Sequence, residues 1–172
     1  MTMIPPKPLH SYPWYLRLFF FLQKRKYGFV PEPLLLWGRS PSLLICFLKM
    51  WKKLNRKNSP LSGDLRALVC IRVSQINTCP FCIDLNTSLF LQRGGRVEQV
   101  EGLSSSLTDL LFTPKEQAAI RYAEAVTQTG SKVDPALWKE LKTHFDEDAV
   151  VELTALIAFQ NMSSKFNSAL DV

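Results

Sequence analysis

Proline and glycine cut this 172-residue chain into segments of helical length, and between them hydrophobicity never alternates with a sustained period of two. No Asn-Gly or Asp-Gly hairpin turn occurs. The pattern predicts an all-α fold. A helix is expected from Trp14 towards Tyr27, stopping at Gly28, followed by a loop carrying Pro31 and Pro33. Ser40-Pro41 reads as an N-cap with proline in the first turn, opening a helix through Leu43, Leu44, Phe47, Leu48 and Trp51.

Between Ser62 and Ile76 the apolar residues cover most of a helical circumference, the mark of a central helix enclosed on several sides. Asn77 is expected to end it in a left-handed conformation, and a further helix to run from about Thr78 to Arg93, before Gly94-Gly95. Thr113-Pro114-Lys115-Glu116 has the form of a capping box and opens a helix that runs towards Gly130. Asp134-Pro135 and Asp146 cap two more, the last running towards Leu170.

The composition, 47% hydrophobic and 21% charged, is that of one folded domain, or of one domain with an extension. No window approaches the roughly 18 apolar residues of a spanning helix; the most apolar stretch, Tyr15 to Leu22, contains Arg17. The N-terminus shows no export-signal pattern, so a cytoplasmic location away from membranes is expected.

Charge is divided along the chain. Residues 1–60 carry eleven Lys and Arg against Glu32 alone, whereas residues 61–172 carry ten basic and fourteen acidic side chains. The basic segment, with Trp14, Tyr15 and Phe19 to Phe21 interleaved, could face nucleic acid or anionic lipid. It could equally pack on the acidic part of its own or a neighbouring subunit. The bases fall in two short clusters without a binding motif, which favours packing and no nucleic-acid partner.

Four cysteines without an export signal argue against a structural disulfide framework. Cys79-Pro80-Phe81-Cys82 sets two sulfurs one helical turn apart at a helix start, where unpaired N–H groups and the helix dipole favour thiolate. That is the chemistry of a redox pair. Two rival readings remain: a structural pair of small apolar side chains, or part of a metal site. Cys46, Cys70, His10 and His144 supply no second paired spacing, so no metal or other cofactor is expected. Cys46 and Cys70 read as buried packing residues, and His144 as a partner of a helix C-terminus.

The pair stands within the string Leu65-Arg-Ala-Leu-Val-Cys-Ile-Arg-Val-Ser-Gln-Ile-Asn-Thr-Cys-Pro-Phe-Cys-Ile-Asp-Leu-Asn-Thr87. This resembles the carboxymuconolactone decarboxylase superfamily in its alkylhydroperoxidase D-like branch. The likeness continues through Phe112 to Glu116, the helix from Ala118 to Thr127, and Leu153 to Asn161. It covers residues 28–172 and leaves residues 1–27 as a basic, aromatic extension expected to pack on the core. The resemblance implies an all-helical domain forming homo-oligomers (dimers, trimers or hexamers) and acting as a thiol-dependent peroxidase. By that likeness Cys82 attacks a small hydroperoxide, Cys79 resolves the sulfenic acid, and a thiol reductant reopens the disulfide.

The active branch also places a Glu twelve residues before the first Cys and a His four after the second. Those positions hold Ala67 and Asn86, and the position between the cysteines that can carry another His holds Phe81. Four residues return a side chain to the same helix face, so Asn86 is expected beside the Cys82 sulfur as a hydrogen-bond donor, though not as a base. Helix physics by itself favours Cys79, nearer the helix end, as the more acidic thiol. The alternative reading is a non-catalytic or redox-sensing oligomer that keeps the fold with a degenerate site.

Overall fold

The computed structural model describes residues 3–104 and 108–172, and every regular element among these described residues is helical. Among the described residues ten α-helices follow a short 3-10 turn at Leu9–Ser11, and they fall into two compact units. One runs up to Lys53 and includes Ala169–Val172; the other is Leu54–Ser168. Residues 3–27 thus belong to the first unit together with residues 28–53.

In the first unit, helix α1 (Trp14–Tyr27) ends as its sequence prescribes. Gly28 takes a left-handed φ of 83° and donates its N–H to the Lys24 carbonyl, while Lys24, Arg25 and Lys26 face the negative end of the dipole. The segment expected as a loop at Pro31 and Pro33 instead forms helix α2 (Glu32–Gly38). Pro33 occupies the first turn, where its missing N–H costs nothing, so the two prolines mark a helix start. Gly38 is needed because a Cβ there would lie 2.9 Å from the Phe20 ring and 3.2 Å from Tyr12. Those rings meet edge to face at 5.1 Å, and the Tyr12 hydroxyl donates to the Leu35 carbonyl at 2.9 Å. Helix α3 (Pro41–Leu54) adds the stack of Phe47 on Trp37.

Helix α4 (Gly63–Ile76) is the centre of the second unit, buried over most of its circumference. Helices α5 (Pro80–Leu91) and α8 (Pro114–Thr127) pack against it. Ala67, Leu68 and Ile71 from α4 join Phe90, Leu103, Phe112 and Ile120 in an apolar cluster. Two short helices that no periodicity announced, α6 (Val97–Gly102) and α7 (Thr108–Leu111), lie between α5 and α8 in sequence. Three of the caps read from sequence are in place. Thr113 and Glu116 form the reciprocal box on α8, Asp134 accepts the Leu137 N–H of α9 (Pro135–His144), and Asp146 accepts that of Ala149 in α10 (Glu147–Leu170).

Two further expectations need correction. Asn77 is not left-handed: the positive φ, 50°, falls on Thr78, because the Asn77 side chain is drawn to α10, where it donates to Asn161 and Ser164. Cys46 is exposed on α3 rather than buried, whereas Cys70 is buried as expected.

Candidate redox site

Helix α5 starts at Pro80, one residue after Cys79, and this makes Cys79 its N-cap. The Cys79 Sγ accepts the Cys82 N–H at 3.3 Å, the place normally held by a Ser or Asp oxygen. Cys79 and Cys82 are joined by a disulfide, with Cα atoms 5.3 Å apart. The sulfur nearest the helix end therefore receives one of the unpaired N–H groups that the sequence pattern promised.

Both cysteines are buried, Cys79 at 0% and Cys82 at 3% exposure. Their surroundings are polar on the side of α10. Asn167 directs its amide Nδ2 at both sulfurs, 3.2 Å from Cys82 Sγ and 3.7 Å from Cys79 Sγ. Ser168 shares its hydroxyl proton between the carbonyls of Asn77 and Thr78, at 2.8 and 3.2 Å, and so ties down the turn that precedes the pair. The seam continues up α10: Gln160 donates to Ser74, and Asn161 donates to Thr127. Gln160, Ser164 and Asn167 recur at spacings of four and three, all buried, on a helix whose other buried face is apolar. That polar stripe is the one sequence signal that marks Asn167 as buried, and it does not say what the amide meets.

The residues singled out beforehand are only partly brought together. Asn86 donates its amide to the Cys82 backbone carbonyl at 2.8 Å, in the i to i−4 manner of its own helix. Its amide is engaged there, and the amide on the sulfurs is that of Asn167. Ala67 stands in the apolar cluster with Phe90, Leu103 and Phe112. Phe81 is half-buried and Asp84 exposed on α5. Burial pushes the Cys70 thiol up to about 12, which leaves it protonated and inert. Among the described residues no group of three or more His, Cys, Asp or Glu is arranged to hold a metal ion.

A separate surface cleft of about 560 Å³ is lined by Arg56, Asn58, Ser59, Asp146, Asp148 and Glu152 among others. Arg56 pairs with Glu152, and this hydrogen bond, with one from Ser59, holds the Glu152 carboxyl below its ordinary range. No helix of the described residues is long and apolar enough to cross a membrane.

An all-helical domain with a cysteine pair across the first turn of a helix defines a class, that of the alkylhydroperoxidase-type fold. Comparison with known proteins agrees. The structure superposes on the alkylhydroperoxidase AhpD core of an uncharacterized peroxidase-related protein from Ralstonia eutropha JMP134 with a TM-score of 0.86 and 19% identity. The match covers 99% of this chain and 90% of that one. The debrominase Bmp8, solved with 2,3,4-tribromopyrrole, matches at a TM-score of 0.79 and 20% identity over 99% and 90%. The uncharacterized protein YnjA of Escherichia coli (strain K12) is 40% identical over 167 residues, 96% of this chain and 91% of its own. Residues 41–125 match the model of the carboxymuconolactone decarboxylase family, and the chain belongs to that family.

Proposed function

We propose that the protein is a thiol oxidoreductase that reduces small or organic hydroperoxides through the Cys79/Cys82 pair. The observation that carries this reading is the disulfide at the start of α5, with sulfurs held by backbone and side-chain N–H donors. Such donors stabilise a thiolate, the reactive form of cysteine. Cys82 is the attacking sulfur. It has the shorter Asn167 contact and the greater exposure, and the family likeness assigns it the same role.

In the reaction the Cys82 thiolate attacks the terminal peroxide oxygen, an S–O bond forms as the O–O bond breaks, and the other oxygen leaves as an alkoxide that takes a proton from water to become the alcohol. The resulting sulfenic acid is attacked by Cys79; the S–S bond forms and water leaves. An external dithiol then attacks the disulfide and is itself oxidised, returning the pair to the reduced state. Fold neighbours described as peroxidase-related support the peroxide reading, and a debrominase on the same fold shows that the scaffold also hosts other chemistry.

The near-complete burial of both sulfurs favours a second reading, a redox-sensing or non-catalytic family member in which the pair serves the fold. Intact mass separates the two. The reduced protein treated with one equivalent of hydroperoxide should lose two hydrogens, and peroxide should be consumed continuously when dithiothreitol is added. A Cys82→Ser variant should do neither. A sensor would lose the hydrogens without turnover, and a binding protein would show neither change.

A further inference from the structure

Asn167 is 1% exposed, its Nδ2 bonds the two sulfurs, and its Oδ1 has no hydrogen-bond partner. A buried amide oxygen left unpaired is unfavourable, and α10 would pack an apolar side chain there without that penalty. The disulfide is a poor match for this side chain. Its sulfurs are neutral, weak acceptors and carry no proton to give to Oδ1.

The reduced pair is a better match. Opening the S–S bond with two electrons and one proton from a dithiol gives one thiolate and one thiol, no longer bonded to each other. The thiolate is a charged acceptor for Nδ2–H, and the new S–H is a donor for Oδ1, so both ends of the carboxamide find partners. We propose that Asn167 is a positioning residue that favours the reduced, singly ionised Cys79/Cys82 pair over the disulfide. This rests on reading the pair as redox-active, and it holds whichever oxidant the protein meets.

The test uses the full chain with Cys46→Ser, which removes the exposed thiol; Cys70 stays protonated in the range examined. Thiolate absorbance at 240 nm is titrated against pH, and the dithiol–disulfide balance is measured against dithiothreitol. For Asn167→Leu, of similar size without donors, the titration midpoint should rise by about one pH unit, a tenfold loss of thiolate. The equilibrium should move about tenfold towards the disulfide, equivalent to a potential lower by ~30 mV. Asn167→Asp, which keeps the shape and removes the amide donors, should move both readings the same way. In the unaltered side chain, the Asn167 amide protons should shift downfield in the NMR spectrum on reduction, a reading that needs no variant.

A merely structural Asn167 would alter the melting temperature and leave midpoint, equilibrium and amide shifts unchanged; that result overturns the proposal. Hydroperoxide turnover is measured separately. Its absence in the wild type would count against the peroxidase reading alone, because the thiolate titration and dithiothreitol balance require no peroxide.

Discussion

The Asn167 side chain reaches the Cys82 sulfur at 3.2 Å across 85 residues of sequence. With the longer contact to Cys79 it joins the C-terminal helix to the cysteine pair. The Ser168 bonds to the carbonyls of Asn77 and Thr78 join that helix to the turn before the pair as well. The candidate site is therefore made by α5 and α10 together, and four expectations about the protein can be measured.

The two sulfurs should differ in reactivity. Cys79→Ser protein exposed to limiting hydroperoxide should accept a sulfenic-acid trap on Cys82, and Cys82→Ser protein should stay unlabelled at Cys79. Peptide mapping by mass spectrometry reads the outcome, and labelling of Cys79 alone would reverse the assigned roles.

Thr78 holds a φ of 50°, costly for a β-branched residue. Thr78→Gly removes strain of about 1–3 kcal/mol and restores unfolded-chain freedom of about 0.4–1 kcal/mol. A net gain of about 1 kcal/mol should raise the melting temperature by about 2–4 °C. Calorimetry of the variant checks it; a lower melting temperature would show that the turn depends on the threonine itself.

An added Cβ at Gly95 would lie 2.3 to 2.5 Å from the Phe90 ring, which is buried in the apolar cluster. Gly95→Ala should therefore destabilise by about 1–3 kcal/mol in urea unfolding. Phe90→Leu frees space at the same point, so the double variant should be more stable than the sum of the two losses allows. Simple additivity would mean that the strain relaxes elsewhere.

Glu152 is held below the ordinary carboxylate range by Arg56 and Ser59. A carboxyl depressed in the folded state adds stability above its unfolded value of about 4.3, and that stability is lost as pH falls towards the folded value. Glu152→Gln should therefore cost up to about 1 kcal/mol at pH 7, since the pair is partly exposed. The difference from wild type should fade below about pH 4. Chemical denaturation at several pH values tests this, and a constant difference would point to packing instead of charge.

Much of the fold was written locally. Gly28, the Thr113/Glu116 box, Asp134 and Asp146 act within about four residues of themselves, so the helix boundaries they set are legible without tertiary structure. The proline signal is legible too, and at Pro33 it is ambiguous. Pro33 starts a helix as readily as it breaks one, and what chooses between them is the packing of Gly38 against Phe20 and Tyr12.

The candidate site divides along the same line. Residue order alone established an all-helical chain and two cysteines across the first turn of a helix, because helix dipole, cap and turn spacing are properties of neighbours in sequence. Packing decided the rest: that Asn167 and not Asn86 faces the sulfurs, that Ala67 lies among Phe90 and Leu103, that Cys46 is outside and Cys70 inside. An amide on a helix reads the same whether it meets water or sulfur. Only the approach of a second helix, brought in from the far end of the chain, determines which of these its donor finds.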